Sequence, residues 1–384
     1  MSACAVVFCT TWLSRAGGGL FTAMAPLAEE LRRQGLRLSA VGVDDPHLRD
    51  DAAAWGDVPL VRLHGQRPYS LCRTPGMAAA IAAQNPDVVH QHGLWSWQAH
   101  AVSAWHRRSN RPYLVSPHGM LDPWILAHGR WKKALARWWF QSRDLSQAAC
   151  VHALCAAERD HVRSAGLSGP VAVIANGVEL PPDQTPPPAP WPADGRRTLL
   201  FLSRLHPKKG LDVLLDGWQG LLRDHPAVAQ RWRLVIAGWG EPAYEAGLRA
   251  HPAQAHFTGG LFGAAKEGAL ARCDAFILPS HGEGLPMAVL EAWARRRPTL
   301  LSRGCNLPEG FAAGAAWEVD TQPAAIADAI ARLDAAPTAT LAEMGSAGHR
   351  LVEQRYTRDR VARAFHHLYE WILGGGPPPE SVER

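Results

Sequence analysis

Seven prolines fall within the twelve residues Pro181–Pro192, and they divide the chain into two halves. Proline lacks the backbone N–H that helices and sheet interiors need, so we expect an extended, semi-rigid connection here. On either side, short apolar runs alternate with glycine-containing turns and helical patterns, which is typical of a parallel α/β sheet. A long surface loop within one domain is the alternative, but the alternation restarts directly after the prolines. The 384 residues therefore predict two α/β domains.

The predicted domain boundaries follow from this pattern. We expect a first domain over residues 1–180, a linker over 181–195 and a second domain over 196–356. A terminal helix over 357–373 would pack back on the first domain, and the Gly/Pro-rich tail over 374–384 would be disordered. The linker and the terminal helix form the expected hinge region.

Composition excludes several classes of protein. Hydrophobic residues make up 47% and charged residues 20% of the chain, which argues against a disordered or collagen-like protein. No apolar run reaches the ~18 residues of a membrane span, and the first residues indicate a buried strand rather than a signal peptide. The seven cysteines contain no C-x-x-C pair, so the sequence favours neither a zinc nor a redox site and indicates a cytoplasmic location.

A basic, tryptophan-rich segment lies in the first half. Residues 105–143 carry eight Lys/Arg side chains against the single acid Asp122. Within 129–143, tryptophans recur at helical spacing beside basic residues, a pattern that suits peripheral contact with the anionic inner face of a membrane. The alternative is that these tryptophans pack on the sheet of the first domain. No nucleic-acid-binding motif accompanies the charge, so no nucleic-acid partner is expected.

A glycine triplet, Gly17-Gly18-Gly19, follows the first predicted strand and precedes a helix. Backbone N–H groups at such a turn, together with the helix dipole, favour an anion. A tight turn without a ligand is the alternative. The spacing departs from G-x-G-x-x-G, which disfavours a nicotinamide-dependent enzyme.

Charged pairs follow two predicted strands of the second half. Arg204 and Lys209 follow its first strand, where open α/β sheets bind ligands, and these two cations suit phosphate oxygens. A solvated basic loop is the alternative. Glu283 lies in a glycine-rich turn after a later strand, and Glu291 lies in the helix that follows. Carboxylates in this setting accept hydrogen bonds from sugar or ribose hydroxyls.

Two histidines, His92 and His118, each lie at the end of a predicted strand of the first half. A single histidine is more often structural than functional, but two at strand ends would face the same cleft. As metal ligands they lack a third partner at suitable spacing, so no metal site is predicted.

These features together resemble the retaining nucleotide-sugar glycosyltransferases of the GT-B fold, glycosyltransferase family 4 in particular, over nearly the whole chain. Glu283 and Glu291 are similar to the E-x7-E motif of that family, and Arg204 and Lys209 to its paired diphosphate contacts. A Gly-Leu pair stands where an aromatic residue often follows the first motif glutamate, which is a common variant.

The resemblance implies two Rossmann-like, doubly wound parallel-sheet domains that face a cleft. It implies a hexosyltransferase in which Arg204 and Lys209 stabilise the diphosphate leaving group. Glu291 would hold the ribose and Glu283 the sugar, which His118 would orient. The implied donor-binding residues are Gly18, Gly19, Arg204, Lys209, Gly284, Leu285 and Glu291, and the acceptor side would include His92 and Trp95. Neither a cofactor nor a metal is implied.

The expected reaction is transfer of a sugar from a nucleoside-diphosphate sugar to a hydroxyl of a glycan, a lipid-linked sugar or a small molecule, with retention of configuration. Polysaccharide biosynthesis is the implied setting. A nucleotide-sugar epimerase or hydrolase on the same fold is one alternative. A non-catalytic nucleotide-sugar-binding module is the other.

Overall fold

The computed structural model describes residues 4–66, 72–122, 142–182 and 184–383. The chain forms two compact units. The first unit comprises Met1–Gly177 together with Arg358–Arg384, and the second comprises Val178–Thr357. The chain thus leaves the first unit once, builds the second without interruption and then returns to the first.

The first unit is built on an eight-stranded sheet with the order β14-β7-β6-β5-β4-β1-β2-β3. The pairs from β3 to β7 are parallel, and β14 is antiparallel to β7. The order of β1 to β6 is that of doubly wound dinucleotide-binding folds. The strands are β1 Ala5–Trp12, β2 Arg37–Val43, β3 Leu60–Leu63, β4 Val88–His92, β5 Tyr113–Ser116, β6 Cys150–Ala153, β7 Val171–Val173 and β14 Val382–Glu383.

Helices cover both faces of this sheet, and each face carries its own apolar cluster. One cluster is completed by the returning helix Arg358–Ile372, whose Val361, Phe365 and Leu368 recur at helical spacing and are buried. The described helices of the unit are Gly19–Arg33, Leu48–Asp51, Met77–Ala83, Trp97–Ser109, Ser142–Gln147, Ala156–Ser164 and Arg358–Ile372. The terminal helix therefore belongs to the core of the first unit.

The second unit is built on a six-stranded, fully parallel sheet with the order β10-β9-β8-β11-β12-β13. This is the same doubly wound order, so the predicted fold class is confirmed. The strands are β8 Arg197–Leu202, β9 Trp232–Ala237, β10 His256–Gly259, β11 Ala275–Leu278, β12 Thr299–Leu301 and β13 Ala316–Glu318. The helices are Leu211–Asp224, Ala227–Arg231, Pro242–Arg249, Gly263–Arg272, Met287–Ala294, Pro308–Ala312, Pro323–Ala335 and Thr338–Leu351, and a π-helix follows at Val352–Tyr356.

The proline-rich segment packs on the second unit, although the sequence suggests a linker. The buried Arg233 of β9 donates to the carbonyl oxygen of Pro192 at 2.7 Å and pairs with Asp194. Arg272 donates to the carbonyl of Pro186 at 2.9 Å. A Cβ added at Gly268 would lie 2.2 Å from the carbonyl oxygen of Pro188, so only glycine permits this close approach. The described residues of the segment form neither helix nor strand, and these contacts hold them against the second unit.

The tail also differs from the prediction of disorder. Val382–Glu383 pairs with β7, and Arg159 binds Glu383 with an N–O distance of 2.7 Å. Of the predicted membrane-contact segment 129–143, all but residues 142 and 143 lies outside the described residues. Among the helices that are described, none is both long and apolar enough to cross a membrane.

Candidate functional site

The predicted site residues of the second unit follow β8 and β11, the two neighbouring strands at which the strand order of the sheet reverses. Open α/β sheets bind ligands at this position, outside the carboxyl ends of the strands. Arg204 follows β8 by two residues, and Lys209 ends the 3-10 turn Pro207–Lys209. Glu283 follows β11, and Glu291 lies in the helix Met287–Ala294. The fold therefore gathers the four residues at one edge of the sheet.

Two glycines fix the loop that carries Arg204. Gly238 and Gly240 follow β9, and a Cβ on either would lie within 2.2 Å of a carbonyl oxygen of the loop after β8. This close approach allows Leu205 N–H to donate to the carbonyl of Trp239 at 2.8 Å. The Arg204 side chain is exposed at the tip of the loop so formed. The backbone at Arg204 is thus held in place, whereas the guanidinium group of Arg204 faces solvent.

Lys209 and Glu283 form a bidentate ion pair. The ammonium nitrogen of Lys209 lies 2.6 and 2.7 Å from the two carboxylate oxygens of Glu283. The side chains are 18% and 9% exposed, so the pair is largely shielded from water. The Coulomb attraction is stronger here than between surface residues. The predicted phosphate contact, Lys209, and the predicted sugar contact, Glu283, are therefore direct partners in the second unit.

Hydrogen bonds fix the turn that carries Glu283. Glu283 N–H donates to the carbonyl of Gly304 at 2.7 Å, and the Asn306 amide donates to the carbonyl of Glu283. The hydroxyl of Ser280 donates to the carbonyl of Lys208 at 2.9 Å, which joins this turn to the one that carries Lys209. The sequence analysis did not identify Asn306, because its role depends on a contact across 23 residues of chain.

Glu291 has a partner that the sequence analysis missed. Lys266, in the helix Gly263–Arg272, lies 2.6 Å from one carboxylate oxygen of Glu291. The other oxygen, Oε2, is buried and has no hydrogen-bond partner in the described part of the chain. A buried carboxylate oxygen without a donor is costly, which is typical of a group that receives its donor from a ligand. Only five lysines occur in the chain, and that scarcity was the available signal for Lys266.

The other predicted donor-binding residues of this unit lie in the same turn. Leu285 is buried and Gly284 is half-buried just before the helix Met287–Ala294. An exposed aromatic pair lies at the same edge of the sheet. Trp239 follows β9 and Phe262 follows β10, their ring centroids are 5.1 Å apart, and each is 40% exposed.

In the first unit, the glycine turn lies open at the start of a long helix. Gly18 has φ +58° and ψ −133°, a conformation that glycine adopts readily, and it precedes the helix Gly19–Arg33. A Cβ added at Gly18 or Gly19 would meet no atom within 4 Å. Ser14 fixes the preceding turn by donating to the Asp45 carboxylate at 2.7 Å. Gly18 N–H already donates to the carbonyl of Arg15 at 2.9 Å, so the open space at this helix start adjoins the N–H of Gly19.

His92 and His118 form a hydrogen-bonded pair. His92 Nδ1 lies 3.0 Å from His118 Nε2. His92 is only 2% exposed, so in this structure it contacts His118 rather than the surface. His118 is half-buried and has φ +53°, a left-handed conformation that costs energy for any residue but glycine. Burial lowers the pKa of His118 to about 3 and that of His92 well below its usual value. Both rings are therefore neutral at physiological pH.

A buried carboxylate, which the sequence analysis missed, holds the loop that contains His118. Glu158 accepts hydrogen bonds from Gly119 N–H and, at 2.7 Å, from Leu154 N–H. The side chain is 1% exposed, and burial raises its pKa. Glu158 lies in the helix Ala156–Ser164, three residues after the N-cap, where a glutamate normally indicates only a helix start. Sequence alone does not connect it to His118.

A second histidine chain lies beside this pair, and its hydrogen-bond direction follows from chemistry. A carbonyl can only accept, so His152 Nε2–H donates to Ile174 O at 2.6 Å. Burial lowers the pKa of His152 to about 4 and that of His90 well below normal, so each ring carries one proton. Ser116 therefore donates to His152 Nδ1 at 2.7 Å and accepts from His90 Nε2–H at 2.6 Å. His90 Nδ1 then accepts from the Tyr369 hydroxyl at 2.8 Å.

Trp95, which was predicted on the acceptor side, is half-buried and packs against one of the two apolar clusters of the first unit. Its φ is +67°. Although four histidine rings come together nearby, the described residues contain no group of three His, Cys, Asp or Glu side chains arranged to hold a metal ion.

Comparison with known families accounts for both halves of the chain. The family model for a glycosyl transferase 4-like domain matches residues 18–177. The model for glycosyl transferases group 1 matches residues 196–335. The chain is a GT-B glycosyltransferase. The predicted resemblance is confirmed at this level, and the two matches correspond closely to the two structural units.

Curated relatives of this GT-B glycosyltransferase are little more than a quarter identical to it over the aligned regions. A glycogen synthase of Mycobacterium tuberculosis is 28% identical over 329 residues, which is 79% of this chain and 72% of the relative. A D-inositol 3-phosphate glycosyltransferase of Frankia alni is 28% identical over 304 residues, or 72% of this chain and 73% of the relative.

Solved structures share the fold of the GT-B glycosyltransferase. The Anabaena protein HepE, in complex with UDP and glucose, has a TM-score of 0.76 at 17% identity, covering 95% of this chain and 99% of its own. A sucrose-phosphate synthase from Thermosynechococcus elongatus has a TM-score of 0.77 at 17% identity, covering 97% and 100%.

Proposed function

We propose that this glycosyltransferase moves a hexose-type sugar from a nucleoside-diphosphate sugar to an acceptor hydroxyl, with retention of configuration. The observation that carries the proposal is the shielded Lys209–Glu283 ion pair beside the exposed Arg204, at the strand reversal of the second sheet. Cations at this position suit a diphosphate, and a fixed carboxylate beside them suits sugar hydroxyls. The relatives' names, glycogen synthase and D-inositol 3-phosphate glycosyltransferase, support sugar transfer.

Electrostatic stabilisation of the leaving group is the main catalytic effect in this proposal. The diphosphate gains negative charge as its bond to the sugar breaks. Arg204 and Lys209 would stabilise that charge, together with backbone N–H groups of Gly284 and Leu285 near a helix start. Because these groups already supply positive charge, we propose a reaction that needs no metal ion. Transfer that continues in EDTA would support this, whereas loss restored specifically by Mg²⁺ or Mn²⁺ would contradict it.

The carboxylates would position the donor. We assign Glu291 to the ribose hydroxyls, because its buried Oε2 lacks a donor in the described residues and a hydroxyl would supply one. We assign Glu283 to the sugar hydroxyls. From the first unit, Gly19 would offer its backbone N–H beside Gly18, whose own N–H donates to the Arg15 carbonyl, and His118 would donate a hydrogen bond to the sugar.

Nucleotide binding is the direct test of the proposed donor. Purified protein is heated with UDP, GDP or ADP, with the matching nucleoside as control. The correct diphosphate should raise the free energy of unfolding by ~2.7 kcal/mol at one hundred times its dissociation constant. Absence of stabilisation by every nucleoside diphosphate would contradict the proposal. With a donor identified, turnover that requires an acceptor supports transfer, whereas full turnover without acceptor indicates an epimerase or hydrolase.

We also propose a cytoplasmic protein that contacts the inner membrane face through residues 129–143 and acts on a glycan or lipid-linked acceptor in polysaccharide biosynthesis. The basic, tryptophan-rich sequence of that segment supports the membrane contact. Co-sedimentation with anionic vesicles should be lost in the Lys132/Lys133/Arg137→Glu triple variant. Equal recovery of variant and wild type would contradict the contact.

A further inference from the structure

The proposed sugar-orienting residue, His118, shares a side-chain hydrogen bond with a buried neighbour, His92. His92 Nδ1 and His118 Nε2 are 3.0 Å apart, and the two rings are nearly parallel, with an interplanar angle of 25°. Two neutral imidazoles can share such a contact only if one nitrogen carries a proton and the other does not. The protonation of His118 is therefore tied to that of His92.

The surroundings of His92 indicate which of the two rings donates the hydrogen bond and which accepts it. His92 packs against His90 and Phe8, with ring centroids 3.9 and 4.5 Å away, and its Nε2 is buried without a hydrogen-bond partner among the described residues. If His118 donated to His92, this Nε2 would carry a buried proton with no acceptor. If His92 donates, Nε2 carries only a lone pair. Orphaned buried N–H groups are rarer in proteins than orphaned acceptors, which favours the second arrangement.

We propose that His92 is a positioning residue that donates from Nδ1–H to His118 Nε2 and thereby fixes His118 as the tautomer protonated on Nδ1. His118 then offers one N–H and no free acceptor nitrogen. It can donate to a sugar hydroxyl or a phosphate oxygen, and it cannot accept a proton from an attacking hydroxyl through Nε2. This inference rests on the proposed function only for the identity of the oxygen that His118 contacts.

The backbone around His118 is also held in place. His118 has φ +53°, and the next residue is bound through its N–H by the buried Glu158. The loop is therefore held on one side by a carboxylate and the ring on the other by His92. Burial is the main cause of the low pKa values of His92 and His118. Both rings are therefore neutral, and neither takes up a second proton.

The tautomer can be measured without any assay of activity. In protein labelled with ¹⁵N-histidine, long-range ¹H–¹⁵N correlation separates the protonated from the bare ring nitrogen, and loss of signals in His118→Asn assigns the residue. We expect the proton of His118 on Nδ1 in the wild type. A wild-type His118 protonated on Nε2 overturns the proposal, whatever reaction the protein catalyses.

Two substitutions of His92 then test its role. In His92→Asn, the amide N–H replaces the Nδ1–H donor, so the Nδ1 tautomer and kcat should be retained. In His92→Leu, the donor is lost, so the tautomer preference should disappear and kcat should fall about tenfold or more, with the donor KM changed much less. Unchanged tautomer and kcat in His92→Leu would overturn the proposal.

The matched control is Tyr369→Phe, which removes one hydrogen bond from the neighbouring His90 chain and leaves the His92–His118 pair intact. It should lower stability but keep the His118 tautomer and kcat. An equal fall of kcat in this control would show that general loosening of the core, rather than the tautomer, explains the effect of His92→Leu. If His92→Leu does not fold, the wild-type tautomer and His92→Asn still decide. Failure to find any sugar transfer would refute the proposed function alone, because the spectrum would still report the tautomer.

Discussion

Each of the two carboxylates proposed to hold the donor forms an ion pair with a lysine of the second unit. Lys209 pairs with Glu283, and Lys266 pairs with Glu291. Removal of one member of a shielded pair leaves the other charge without its partner, which costs more than the intact pair contributes. Motif spacing predicted three of these residues. It did not predict Lys266, because a partner on another helix has no fixed offset in the sequence.

Replacement of Lys209 by alanine should lower the transfer rate ~100-fold or more, because a fixed charge near the leaving diphosphate is lost. Steady-state kinetics measure the effect, and thermal unfolding shows whether the fold is retained. Arg223→Ala is the matched control, since Arg223 is 76% exposed and pairs only with its neighbour Asp224 among the described residues. Near-normal transfer by a folded Lys209→Ala protein would remove the central step of the proposed mechanism.

Substitutions of the two carboxylates, Glu291 and Glu283, should affect the binding of different ligands. Glu291→Gln should weaken binding of the free nucleoside diphosphate, because the ribose loses an acceptor. Glu283→Gln should mainly weaken binding of the sugar-bearing donor. Isothermal titration with both ligands measures each effect, and the isosteric Gln keeps the packing. Equal losses for free nucleotide in the two variants would show that the roles are assigned wrongly.

At the scale of helices and strands, the longer apolar strands were predictable and the short edge strands were not. β9, Trp232–Ala237, is buried throughout, and its mostly apolar run is recognisable in the sequence. β3, Leu60–Leu63, is mostly half-exposed, and β7 has three residues, so neither has a distinct pattern. The interaction between β4 and the returning helix was also beyond prediction, because it depends on the hydrogen bond between His90 and Tyr369, 279 residues apart.

Tyr369→Phe should lower the free energy of unfolding by ~1–3 kcal/mol, because His90 Nδ1 is left buried without its donor. Chemical denaturation monitored by circular dichroism gives the value. Tyr244→Phe is the matched control, since the buried Tyr244 hydroxyl has no hydrogen-bond partner in the described residues and its removal should cost little. A similar loss in both variants would indicate that the Tyr369 hydroxyl contributes through packing alone.

At the scale of the molecule, the sequence predicted two doubly wound domains and the return of the last helix to the first. It misplaced the ends of the connecting segments. Residues 181–195 were expected to lie between the domains, whereas the structure places them in the second unit. The reason is physical: a proline count predicts an extended backbone, but contacts such as that between Arg233 and Pro192 decide where the backbone lies.

Acidification should destabilise the first unit through four histidines, of which His90, His92 and His152 are buried and His118 is half-buried. Burial lowers the pKa of His118 to about 3, of His152 to about 4, and of His90 and His92 well below normal. In the unfolded chain each histidine titrates near ~6.5, so below this pH the unfolded state binds more protons. The free energy of unfolding should therefore fall as pH decreases from about 6.5 to 4, by up to ~1.4 kcal/mol per pH unit for each histidine.

Denaturation curves at several pH values measure this slope. His152→Gln should make the slope shallower, because one of the four titrating rings is removed. His64→Gln changes an exposed side chain and serves as control. A slope identical in wild type and His152→Gln would show that the buried rings do not control the acid response.

The return of the chain to its first unit has a consequence for synthesis on the ribosome. The second unit, Val178–Thr357, is translated without interruption before Arg358–Ile372 leaves the exit tunnel. During that interval the nascent first unit lacks the helix that supplies Phe365 and Tyr369, and the apolar face they cover is open to solvent. Proteins generally fold from the amino terminus during translation. Here the second unit, although synthesised later, can complete its folding before the first. Chaperones that bind exposed apolar surface would therefore bind the first unit, most of which is synthesised before the second.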